Sequence, residues 1–258
     1  MPSDFPTTRA ILERLDHWLA TLAAPLLPLK RVDEPDGHHR WEFRDETPEA
    51  LQVGKAVRMI SGIRAALALA DDGYTTESGS LLRMVSDFAQ EIVSVGEGLL
   101  EGRLTSVQKK FVKQYFAPIA RNADEHARIE HERYVTREEL FAAHQRLADK
   151  TTKRADDLRK LTRFLNYGYD KYVHGAYQTA MELFRGDQQR FMLRGHDSAR
   201  HRCIAKTSVA GKLHEVLIAL EFMAMTRQLD PLIAEIRSNR HELERSSEQS
   251  GQLCRGLR

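Results

Sequence analysis

The sequence is short of the residues that usually announce chemistry. Its 258 residues contain two cysteines, Cys203 and Cys254, too few for a disulfide framework. Cys254 falls in a polar tail, so the pair is expected to stay unbonded, as in a reducing compartment. No run of about 20 apolar residues occurs, which excludes a membrane-spanning helix and a membrane partner. Met1-Pro2-Ser3-Asp4 lacks a basic stretch followed by an apolar one, so no secretory leader is expected and a cytoplasmic location is. The phosphate-cradling G-x-x-x-x-G-K-[ST], the dinucleotide G-x-G-x-x-G, the nucleophile elbow G-x-S-x-G and the zinc motif H-E-x-x-H are all missing. Paired Glu-x-x-His motifs are missing too, and His126 and His131 are five apart, off the i, i+4 spacing of helical zinc sites. Neither a cofactor nor a metal is therefore expected. Acidic excess is also absent: the net charge is +2, too small a surplus to demand nucleic acid.

The cations are skewed, with 28 Arg against 11 Lys. Arginine grips phosphate and carboxylate bidentately where lysine does not. The codon usage of a GC-rich genome gives the same skew.

The dominant pattern is helical. Leu81, Val85, Phe88, Ile92, Val95 and Leu99 recur at steps of four and three, one apolar stripe along a helix. Val53, Val57, Ile60 and Leu67 form a second stripe, and Val209, Leu213, Val216, Leu220 and Met223 a third. The cap signals divide the chain. Helices are expected over 8–24, from Thr47-Pro48-Glu49 to Asp72-Gly73, over 77–101, and from Thr105 to near Pro118. Thr136 and Glu139 read as a capping box opening a helix to about Leu165. Further helices are expected over 170–184, 199–228 and 231–245. Only Arg40-Trp41-Glu42-Phe43-Arg44 resembles a short strand. The fold class is all-α, a multi-helix bundle with minimal strand content. Residues 1–46 read as an N-terminal helix and irregular linker, 47–245 as the bundle domain and 246–258 as a flexible tail.

Chemistry is concentrated in three places. The first is Arg121-Asn122-Ala123-Asp124-Glu125-His126. On a helix Arg121 and His126 lie about 140° apart, yet long side chains at a helix start still converge. An Arg that holds a phosphodiester and a His that moves a proton are the minimum for cleaving it, and Asn122 would orient the His or touch a ribose hydroxyl. The other reading is a solvated helix, since charges alternate from Asp124 to Arg133. The second place is the aromatic segment from Asn166 to Tyr177, which contains Tyr172-Val173-His174-Gly175. There Val173, Ala176, Tyr177, Ala180 and Phe184 form an apolar face, and His174 reads either as a boundary histidine or, with Tyr172, as an alternative site. The third is a basic segment with Arg185, Arg190, Arg194, His196, Arg200, His201 and Arg202, followed by Lys206. It reads as a phosphate-contacting, nucleic-acid-binding loop or as a solvated face.

The R-N-x-x-x-H of residues 121–126 resembles the signature of HEPN-superfamily ribonucleases, and the Tyr-x-x-Val-His-Gly-like segment near 167–175 is similar to helical families related to them. The resemblance spans roughly residues 75 to 225. It implies a HEPN-like bundle in which Arg121, Asn122 and His126 cleave RNA without metal, across a homodimer, in a bacterial toxin–antitoxin or antiviral defence system. In the second segment Lys171 or Asp170 stands where the family would want Arg, and the spacing to His174 is shorter than the pattern, a departure at the alternative site of Tyr172 and His174. The expected function is RNA binding with endoribonuclease activity as an open possibility. The alternative is a non-enzymatic helical module that binds a protein partner.

Overall fold

The computed structural model of the chain describes residues 5–33, 37–117, 183–185, 190–195 and 198–256, with the single positions 135, 136, 139, 140, 173 and 181. The protein is an all-α, multi-helix bundle. Among the described residues the α-helices are α1 (Pro6–Ala23), α2 (Pro48–Asp71), α3 (Thr75–Leu100), α4 (Ser106–Tyr115), α5 (Ala199–Thr226) and α6 (Asp230–Gly256). Strands β1 (Lys30–Asp33) and β2 (His39–Glu42) form one antiparallel ribbon, and β3 (Phe184–Arg185) and β4 (Arg190–Phe191) form a smaller one. No described helix is long and apolar enough to cross a membrane.

Capping chemistry sets the helix starts. The Thr47 hydroxyl accepts from the Ala50 amide at 3.2 Å, and Pro48 needs no partner for the N–H it lacks. Thr105 and Gln108 form a reciprocal capping box on α4. At the expected box further on, the Glu139 amide donates to Thr136 Oγ1 at 3.2 Å while the Thr136 amide donates to Glu139 Oε2 at 2.9 Å.

One apolar core joins α1, α2, α3, α5 and α6. Val209, Leu213, Val216, Leu220 and Met223 are all fully buried, so the stripe read on α5 is its inward face. The stripe on α3 is rotated from the one expected. Leu82, Val85, Ala89 and Ile92 are buried, while Leu81, Phe88 and Leu99 are partly buried at its border. On α2, Val57 is 48% exposed; Ala56, Met59 and Ile63 do the inward packing.

Two expectations about the C-terminal region are corrected. α6 does not end near Arg245 but runs to Gly256. Cys203 and Cys254 are not free thiols but a disulfide, with Cα atoms 5.7 Å apart. Both corrections have one cause. A short turn reverses the chain between α5 and α6, and helices of comparable length bring residue 254 back beside residue 203. The polar composition of the segment hides this, because only Cys254 faces inward there among the described side chains.

Candidate functional site

The basic segment is built at one end of the bundle. In the β3–β4 ribbon Arg185 is the register partner of Arg190, and Phe184 that of Phe191. The Met192 amide closes the ribbon by donating to the Leu183 carbonyl at 2.7 Å. The turn that follows rests on the α2–α3 corner. Gly195 has φ +83°, and a Cβ there would stand 2.9 Å from the Asp72 carbonyl oxygen and from the Gly73 carbonyl carbon. A glycine is required on both counts. This contact holds Arg194, which is exposed, beside the acidic end of α2.

Ser198 caps α5, and Arg200, His201 and Arg202 occupy its first turn. Arg200 and His201 are exposed and Arg202 is half-buried. The first turn carries no acidic residue. The exposed Arg200 guanidinium opposes the positive end of the helix dipole, at a cost of roughly 0.3–1 kcal/mol. One turn on, Lys206 reaches Asp71 at 2.5 Å, and Arg9 takes the other oxygen of that carboxylate at 2.6 Å. Burial alone would raise the Asp71 pKa, but hydrogen bonds and charge from Lys206 and Arg9 outweigh it and hold the carboxyl below its ordinary 3.8. Asp71 is therefore committed inward. Cys203 anchors the same turn of α5 to α6, with Thr207 Oγ1 3.4 Å from Cys254 Sγ.

Arg194, Arg200, His201 and Arg202 of the expected basic surface are thus described with their side chains, while Arg185 and Arg190 are placed by backbone alone. Arg121, Asn122, His126, Tyr172, His174 and His196 lie outside the described residues. Among the described residues no group of three His, Cys, Asp or Glu is placed to hold a metal ion.

Sequence reasoning missed a polar layer between α3 and α5. Lys212 Nζ donates to Ser86 Oγ at 3.2 Å and pairs with Glu215 at 2.6 Å. Ser86 in turn donates to Glu215 Oε2 at 2.6 Å, and Gln90 Nε2 donates to Ser86 Oγ at 3.2 Å. Arg83 pairs with Asp87 one turn earlier. Serine, lysine and carboxylate side by side suggest a nucleophile with its base. Burial argues otherwise: Ser86 is fully buried, so no substrate reaches its hydroxyl, which accepts from Lys212 and Gln90 and donates to Glu215. The layer fixes α3 against α5 in one register. Its signal was available as polar residues at 83, 86, 87, 90 and 94, helical spacing on the face beside the apolar stripe.

A second missed cluster joins α5 to α6. His214 Nδ1 and His241 Nδ1 approach the two oxygens of Glu244 at 3.6 and 3.3 Å. Burial lowers the His214 pKa, which Glu244 opposes and Arg240 reinforces.

Compared with family models, with curated proteins and with solved structures, the chain finds no match in any of the three.

Proposed function

We propose that this protein is a HEPN-like RNA-binding bundle of a bacterial toxin or phage-defence system, whose phosphate-contacting surface is the start of α5 with the turn before it. The observation that carries the reading is the grouping of Arg194, Arg200 and His201, exposed at a helix start with no acidic residue in its first turn. An RNA phosphate set there would meet the Arg194 and Arg200 guanidiniums together with the positive end of the α5 dipole. Arg121, Asn122 and His126 are the proposed cleavage residues. Arg121 would hold the scissile phosphate and His126 would transfer the proton, with the 2′-hydroxyl as nucleophile and no metal.

Two measurements test this. Binding of a single-stranded RNA oligonucleotide by the Arg194→Ala/Arg200→Ala variant is expected to weaken, with a shallower dependence on salt. An unchanged affinity and slope would remove RNA from this surface. Cleavage of RNA, but not DNA, in EDTA is expected to vanish in His126→Ala. Retained cleavage would remove His126 from the mechanism.

The reading puts the protein in the cytoplasm, where disulfides are rare. Thiols trapped in intact cells test the location: two free cysteines fit it, and an intact Cys203–Cys254 bond argues against it. The rival reading, a helical protein-interaction module, is favoured by a different feature, the exposed ribbon of β1 and β2.

A further inference from the structure

The β1–β2 ribbon stands apart from the rest of the fold. Its two strands pack extensively only on each other, while Leu26 and Phe43 at its roots rest on the core. An isolated two-stranded ribbon is marginal in water, and among the described residues no third strand covers either edge. Trp41, in the middle of β2, is 58% exposed. An open strand edge is a template for pairing, and tryptophan is among the side chains that most often anchor an interface.

The register sorts the side chains into two faces. Arg31 faces Trp41 and Asp33 faces His39 on one; Lys30 faces Glu42 and Val32 faces Arg40 on the other. The His39 and Trp41 rings meet edge to face at 6.1 Å between centroids. Within each strand an arginine is braced by an acid two residues on, Arg31 by Asp33 at 2.8 Å and Arg40 by Glu42 at 2.7 Å.

We infer that the β2 edge pairs antiparallel with β2 of a second copy of this chain, forming a four-stranded sheet across a two-fold axis. Symmetry restricts the register, because an axis perpendicular to the sheet must set one residue against itself. Centring on Arg40 opposes two guanidiniums. Centring on Trp41 stacks Trp41 on its counterpart and sets Arg40 opposite Glu42 of the other copy, twice. Each Glu42 then lies between its own Lys30, its cross-strand partner, and the second copy's Arg40. On the other face Arg31 flanks each Trp41, so two cations bracket two indoles. Pairing through β1 instead opposes Val32 to Val32 and leaves Trp41 in water. Nucleic acid suits the ribbon less well, because its cations are braced by neighbouring carboxylates and residues 30–46 carry more acids than bases.

Sedimentation velocity of the whole protein tests the pairing. Strands this short make a small interface, so a dimer with a dissociation constant on the order of 10 µM is expected. Trp41→Ala, Arg40→Glu and Glu42→Arg should each weaken it about tenfold or more, without loss of helical circular dichroism, since none of the three side chains is in the core. The double variant Arg40→Glu/Glu42→Arg restores the complementarity and should restore the dimer. A wild-type monomer at about 200 µM overturns the proposal, as does a dimer indifferent to the single changes or one that the double change fails to rescue. RNA affinity is read on the same variants. Its loss in Trp41→Ala, with wild type monomeric, would reassign the ribbon to nucleic acid. Because the pairing does not use Arg194 or Arg200, its failure leaves the RNA reading to stand or fall separately.

Discussion

The hydroxyl of Tyr115 occupies the space that a side chain at Gly54 would need: a Cβ there would stand 2.0 Å from the oxygen. Tyr115 thereby lays the end of α4 on α2. Its ring, with those of Phe88 and Phe111, surrounds the Lys55 ammonium at 5.0–5.5 Å from the ring centroids, and Glu91 completes the enclosure at 2.8 Å. Gly54→Ala must drive the tyrosine out, although alanine itself favours a helix by about 1 kcal/mol over glycine. The two effects oppose each other globally but not locally. We expect global stability to change little, while amides of α4 exchange about tenfold faster or more. Unchanged α4 exchange would mean that the tyrosine does not hold the helix.

Gly195→Ala meets backbone rather than a mobile ring, at a φ that alanine resists. A destabilisation of about 1–3 kcal/mol is expected, with weaker RNA binding as the turn carrying Arg194 lifts from the α2–α3 corner. Chemical denaturation and RNA titration of one preparation read both effects.

The disulfide closes a sequence separation of 51 residues. Chain-entropy reasoning assigns such a loop about 4 kcal/mol. The Cys203→Ser/Cys254→Ser variant is expected to unfold at a markedly lower denaturant concentration than the oxidised protein, and at nearly the same one as protein kept in reductant. Identical midpoints in oxidised and reduced wild type would show that the cross-link adds nothing.

His214 is held below its ordinary pKa of 6.5, chiefly by burial. The folded state then binds fewer protons than the unfolded state just under that value, so stability is complete above about pH 6.5 and declines as pH falls towards the folded pKa. Asp71 is held below 3.8, so its contribution persists above that value and is lost as pH falls through its folded pKa. Urea midpoints measured across the acid range should show two separate declines, with the upper one absent in His214→Gln.

Ile92 and Phe88 separate core from border. Ile92 is fully buried, and Ile92→Ala should cost about 2–5 kcal/mol. Phe88 is partly buried against Lys55, so Phe88→Ala should cost less than the 3–5 kcal/mol of a buried phenylalanine. Equal losses would erase the distinction.

That pair also marks how far the sequence could be read. Helix type and most helix ends were legible because they rest on local chemistry: Thr47, Thr105 and Ser198 cap what they precede. The rotation of α3 was not, because a large apolar side chain at a border has the same spacing as one in the core. Val57 misled for that reason. The bond between Cys203 and Cys254, and the contact of Ser86 with Lys212 across 126 positions, depend on how helices return to one another, which no window of sequence contains. The basic surface was half legible. Its arginines are visible as a cluster, but the commitment of Asp71 to Arg9 and Lys206 joins three separate helices.

α1 sits in the same core as α5 and α6, with Trp18 fully buried and Arg14 donating to Asn239 at 3.1 Å across 225 positions. The core is therefore closed by contacts of high sequence separation, and α1 gains its full partner surface only when α6 is in place. In refolding from denaturant, Trp18 should keep a water-like emission until α6 docks, so the fluorescence change should lag the gain of helical circular dichroism.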